Sequence, residues 1–170
     1  MLGTMIVGEP KQDVPSLISD YAAGPELLRV AVAGLDDRQL RTAASPGKWS
    51  PLEVVAHIAD AEILYADRLL RVLAGDQPAL PSMDPDATQA RLPGNQRDLA
   101  EELALIAALR KRMVRILRQC APSDFQRVGI HSEAGPLTAE ALLQRVVRHL
   151  PHHAEIIQQK RPNLSGDSGR

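Results

Sequence analysis

Apolar residues recur every three or four positions along most of this chain and mark four long helical segments. The first runs from Val14 to Leu35, with Gly24-Pro25 as an expected kink or break. Arg41 to Lys48 reads as a polar loop, turned by Ser45-Pro46-Gly47. The second helix has the clearest start signal. Ser50-Pro51-Leu52-Glu53 supplies a serine cap, a proline at the first helical position and a glutamate that completes a capping box. This helix runs to about Leu73, with Gly75 as its stop. The Pro- and Asp-rich connection from Gly75 to Gly94 is long for a compact domain, which marks it as functional or as a crossover. Asn95 is expected to cap the third helix, which ends near Gln119. Val128 to Pro136 reads as a loop carrying His131. Thr138 then caps the fourth helix, Ala139 to about Gln159. β-branched residues form no alternating runs, so sheets are not expected. The result is an all-α four-helix bundle over residues 14–160 with one long crossover, flanked by a flexible segment 1–13 and a disordered tail 161–170.

Composition narrows the field without changing that picture. With 170 residues, 44% of them hydrophobic, one domain with a true core is expected. A net charge of −1 gives no general pull toward nucleic acid or an anionic membrane. The single cysteine, Cys120, rules out an intramolecular disulfide framework and fits a reducing compartment. Met1 to Val7 lacks the basic and long apolar regions of a signal peptide, and no stretch approaches a membrane span. A soluble cytoplasmic protein is the expectation.

The candidate chemistry lies in the histidines. His149-Leu150-Pro151-His152-His153 places three of the five in one short stretch. Helical phase separates them. Leu142, Leu143, Val146, Val147, Leu150, Ala154 and Ile157 form one stripe; His153 falls about 55° and His149 about 95° from its centre. His152 falls about 155° away, on the solvated face with Arg145, Arg148 and Glu155. His57 sits at the edge of the second helix's apolar face, in a row with Ala61, Leu64 and Arg68. Two helix edges carrying imidazole could meet at one mouth of the bundle and hold a metal with positions left open. Ordinary edge histidines have the same spacing, so both readings stand. Glu62 falls inside the apolar face and requires a partner, an arginine or an imidazole N–H. Arg110-Lys111-Arg112, with Arg115 and Arg118, reads as a solvated basic face, phosphate binding being the alternative. Cys120 reads as a buried small residue.

These segments resemble the DinB/YfiT-like family. The first block is Gly47-Lys48-Trp49-Ser50-Pro51-Leu52-Glu53 followed by His57, Asp60, Glu62 and Arg68. The second is Gly135-Pro136-Leu137-Thr138 followed by His149, His153, Glu155 and Ile156. The likeness covers roughly Ser16 to Gln159. It implies a four-helix bundle whose His57, His149 and His153 hold a divalent transition metal, Zn or Ni first, with Fe, Mn or Cu also suited. It further implies a metal-dependent hydrolase or low-molecular-weight thiol S-transferase acting on a small molecule as a homodimer, without nucleic-acid or membrane partners. Glu62 or Asp60 would orient ligands or act as a base. Arg68 would hold a substrate carboxylate or pair with Asp67 or Glu62, and His131 would fold over the site or remain solvated. The alternatives are a stress-responsive metal-binding protein without turnover and a plain helical interaction module. Two departures bear on the site: Pro151 between the two ligands, and Glu155 where an amide is common.

Overall fold

A computed structural model of the chain describes residues 12–164, with side chains through Arg161. Residues 1–11 and 165–170, most of the segments expected to be flexible, lie outside the described residues. Helix α1 spans Val14–Val32, α2 Asp37–Arg41, α3 Pro51–Ala74, α4 Pro85–Arg91, α5 Leu99–Leu117 and α6 Ala139–Leu164. The capping box behaves as the sequence dictates. Ser50 Oγ accepts from Glu53 N–H at 3.3 Å, and the Glu53 carboxylate accepts from Ser50 N–H at 2.7 Å. Thr138 Oγ1 accepts from Ala141 N–H at 3.0 Å and so caps α6. Helix α5 is capped by Asp98, not Asn95, which lies in a 3-10 turn over Gly94–Gln96. Helix α6 also outruns its expected end. Arg161 donates to the carbonyls of Ala31 and Ala33, both at 2.8 Å, and ties the last turns of α6 to the end of α1.

The four long helices, α1, α3, α5 and α6, form the bundle, and their order around it is not their order in sequence. Helix α1 packs on α5 and α6, and α3 packs on the same two, so α1 and α3 face each other across a diagonal. Consequently α3 and α6 are neighbours, which is what brings their histidine edges together.

At the centre the expectation for Arg110 fails. It is 1% exposed, not on a solvated face. From α5 its guanidinium reaches every other long helix. It pairs with Glu62 on α3, donates to the Tyr21 carbonyl on α1 at 2.9 Å and to the Val146 carbonyl on α6 at 3.3 Å. The break expected at Gly24-Pro25 does not occur, and the same contact shows why. Helix α1 runs through Pro25 without interruption. Proline offers no N–H to the carbonyl four residues back, Tyr21, and Arg110 supplies that donor. Gly24 makes the room: a Cβ there would lie 2.0 Å from Arg110 Nη1.

The expectation of no sheet is corrected. Strands β1 (Ala79–Leu80), β2 (Val128–His131) and β3 (Gly135–Thr138) form a small sheet in the order β1-β2-β3. Strand β1 pairs parallel with β2, and β2 antiparallel with β3. Strands of two to four residues are too short to show alternation, and these contain Gly129, Gly135 and Pro136. Gly129 is required by close packing, since a Cβ would come within 2.7 Å of Leu80 and Val72. This sheet clamps the crossover connection onto β2 and delivers His131 to the bundle. No described helix is long and apolar enough to cross a membrane.

Candidate metal centre

The Ser50 cap fixes the register of α3, and that register sets His57 on the edge facing α6. On α6, Leu142, Leu143, Val146, Leu150 and Ile157 are fully buried, which orients the helix as its apolar stripe predicts. His149 and His153 therefore lie on the shoulder of that stripe, and His152 is exposed. The three imidazoles form a compact triangle. Their ring centroids are 5.0 Å apart for His57–His149, 4.7 Å for His57–His153 and 4.5 Å for His149–His153. One ring nitrogen from each lies within 4.8 Å of the other two. The nearest approach is His57 Nε2 to His149 Nε2, 3.1 Å. Trp49 packs on His57 at 5.1 Å between ring centres, and Tyr65 stands 6.0 Å from His149.

The electrostatics favour neutral rings with free lone pairs. Burial pushes His149 down to about 3, with His153 and His57 adding to the effect. Burial likewise lowers His153 to about 4. His57 is also lowered by burial, opposed by the nearby carboxylates of Asp60 and Asp86. The Nδ1 atoms of His149 and His153 are buried without a hydrogen-bond partner. Buried polar nitrogens left unpaired are costly in a native fold, and the two rings that carry them meet His57 at one point. Three neutral imidazoles converging from two helices are the donor set that divalent transition ions prefer, so the residues present fit such a group.

The other expected site residues are placed less uniformly. Asp60 lies one turn beyond His57 but is committed to Arg97 through two hydrogen bonds of 2.8 and 2.9 Å. Glu62 finds the arginine partner its position demands. Its carboxylate is held by Arg110 and accepts from the Tyr21 hydroxyl at 3.2 Å, and it bonds none of the three imidazoles. Arg68 pairs with neither Asp67 nor Glu62, since Asp67 is held by Arg71. Instead its guanidinium donates to the Pro81 carbonyl in the crossover. His131 is 7% exposed on β2, a strand and not a solvated loop, and lines a cleft with His57, His149, Arg68 and Arg145. Cys120 bonds the Ile116 carbonyl, and burial raises its thiol above the ordinary range, away from nucleophilic activation.

Arg145 is exposed, as its place on the solvated face of α6 predicts, and it also lines the cleft of His131. It precedes His149 by four residues, as His149 precedes His153, so the three share one row of α6.

Two clefts meet at the triad. The smaller, about 260 Å³, opens on His57 and His149 beneath the crossover residues Ser82 and Met83. The larger, about 620 Å³, opens on His153 between the loop of Lys48 and Trp49 and the Lys160 end of α6. Lys160 donates to the Trp49 carbonyl at 2.5 Å and closes that loop onto α6.

Comparison with known proteins shows the family and the fold. A protein of Oceanobacillus iheyensis named "Putative metal-dependent hydrolase" is 30% identical over 129 residues, covering 76% of this chain and 74% of its own. A solved structure described as "YfiT from Bacillus subtilis is a probable metal-dependent hydrolase with an unusual four-helix bundle topology" superposes with a TM-score of 0.84. It is 27% identical and covers 91% of this chain and 89% of its own. A second solved structure, "TT2238, a four-helix bundle protein", shares the fold with a TM-score of 0.62 at 22% identity, covering 86% of this chain and 99% of its own. The family model of the DinB superfamily matches residues 21–157, a span that covers most of the bundle and all three clustered histidines, and the chain belongs to that superfamily.

Proposed function

We propose that this chain is a metal-dependent hydrolase of a small molecule, with a divalent transition ion held by His57, His149 and His153. The observation that carries the reading is the convergence of three neutral imidazoles, His57 buried and His149 and His153 half-buried, with ligand nitrogens within 4.8 Å of one another. When bound, an ion with three protein ligands supplies an open position at which water or a thiol loses its proton near neutral pH. The chain's own residues do the rest. Trp49 packs against His57 and excludes water from one side of the triad, while the crossover roofs the smaller cleft. The names of the relatives support the same reading.

A second reading, transfer of a low-molecular-weight thiol, is favoured by one observation. The triad is reached from two clefts, and group transfer needs space for two organic substrates where hydrolysis needs one. Zinc- or nickel-loaded protein should hydrolyse at least one member of an ester and amide panel, lose that activity on chelation and regain it on readdition. Conjugation of a thiol panel without hydrolysis would select the second reading. Full metal occupancy with neither activity would leave a binding protein without turnover. The same reading takes the chain as a cytoplasmic homodimer without a nucleic-acid partner; light scattering giving a monomer mass would remove the dimer.

A further inference from the structure

The smaller cleft carries charge that the metal reading does not use. Arg68 is 5% exposed, and buried arginines are ordinarily paired with carboxylates. Here its neighbours are already taken, Asp67 by Arg71 and Glu62 by Arg110. Among the described residues its guanidinium bonds only the Pro81 carbonyl, and it lies 5.5 Å from the centre of the Tyr65 ring. Arg145, exposed at the rim of the cleft, makes no hydrogen bond or ion pair among the described residues. Burial pulls Arg68 below the ordinary arginine range and Arg145 acts in the same direction, so the two cations repel each other across the cleft.

His131 completes the lining. Its Nδ1 accepts from the backbone N–H groups of Glu133 and Ala134, at 3.2 and 3.3 Å. In the neutral ring the proton then sits on Nε2, which remains a donor. Burial lowers His131, and Arg68 and Arg145 lower it further against the opposing Glu133 carboxylate, which favours the neutral ring. The exposed Glu133 is the one carboxylate among the residues lining the cleft, against two guanidinium groups.

We propose that this cleft is a carboxylate subsite, in which Arg145 and the His131 Nε2–H grip the carboxylate of a small substrate while Arg68 supplies a fixed positive charge behind them. A planar carboxylate matches the guanidinium fork, which a point cation would not select. The cleft, of about 260 Å³, has room for a compact carboxylic acid. The assignment names a substrate class for the proposed metal reaction: a small acid whose scissile or reacting bond lies within that span of its carboxylate. It rests on the metal reading for its purpose and not for its existence.

The test separates the two. Calorimetric titration with succinate, and with the uncharged succinamide, is carried out on chelator-stripped and on zinc-loaded protein. Succinate is expected to bind the stripped protein and succinamide not to. Arg145→Gln is expected to weaken succinate at least tenfold without changing zinc affinity or melting temperature. Equal binding of the two probes, equal succinate binding by Arg145→Gln, or sulfate binding more tightly than succinate would overturn the subsite. Succinate binding without zinc retention removes the metal reading alone, and zinc retention without succinate binding removes this inference alone.

Discussion

Glu62→Ala is expected to cost about 3–5 kcal/mol of folding stability, the loss that follows when one partner of a buried ion pair is removed. Glu62 and Arg110 are 0% and 1% exposed. Truncating Glu62 strands a guanidinium at the point where all four long helices meet, with only the Tyr21 and Val146 carbonyls left as neutral partners. It also orphans the Tyr21 hydroxyl, which donates to Glu62 and whose ring lies 4.4 Å from the Arg110 guanidinium. Against a typical domain stability of about 5–15 kcal/mol this is a large fraction. Glu62→Gln keeps the shape and one acceptor and should lose less. The informative variant is the double replacement Glu62→Leu with Arg110→Met. Removing both charges at matched volume is often near neutral. Here Pro25 leaves the Tyr21 carbonyl without a helical donor, so a residual loss of about 1–3 kcal/mol should remain. Urea unfolding midpoints decide it. Single variants within about 1 kcal/mol of wild type would mean that the pair is solvated or replaceable, and the central role given to Arg110 would fall.

How much of this was legible in the sequence depends on the range of the signal. The α3 start, the α6 cap and the selection of His149 and His153 over His152 follow from local phase, because caps and helix faces are set within one or two turns. Arg110 was misjudged for the opposite reason. Its neighbours Lys111 and Arg112 share its charge, and only the tertiary diagonal of α1 and α3 reveals that one guanidinium serves three other helices. The Gly24-Pro25 signal was recognised as unusual, but its cause lies in a side chain 85 residues later. The sheet was missed because β1 to β3 are too short for period-two alternation and carry Gly and Pro. His131 and Arg68 share one cleft only through the pairing of β1 with β2, a contact that no local pattern encodes.

His149→Ala or His153→Ala is expected to lower metal affinity by more than the ~10–100-fold that loss of an outer partner of a ligand costs, since each removes a ligand itself. His57→Ala should act alike from the opposite helix, whereas His152→Ala, exposed beside the site, should leave affinity unchanged. Competition with a chromophoric chelator reads the affinities, and mass spectrometry of dialysed protein reads the stoichiometry. Equal zinc content in His153→Ala and wild type would sink the metal centre.

The metal-free state reports the burial of these imidazoles. Ordinary imidazole titrates near 6.5, whereas burial holds folded His149 at about 3 and His153 at about 4. Between those values the unfolded chain binds more protons than the folded one, so stability rises with pH across the window and falls on acidification. Chelator-stripped wild type should therefore melt several degrees lower at pH 4.5 than at pH 7.5, and stripped His149→Ala should lose part of that dependence. At neutral pH, removing His149 also removes a buried, unpartnered Nδ1, which offsets much of the packing it takes away. Acid sensitivity thus reports the burial of the imidazole, and the loss of metal retention marks it as a ligand. Removing a histidine kept only for packing would leave metal content untouched.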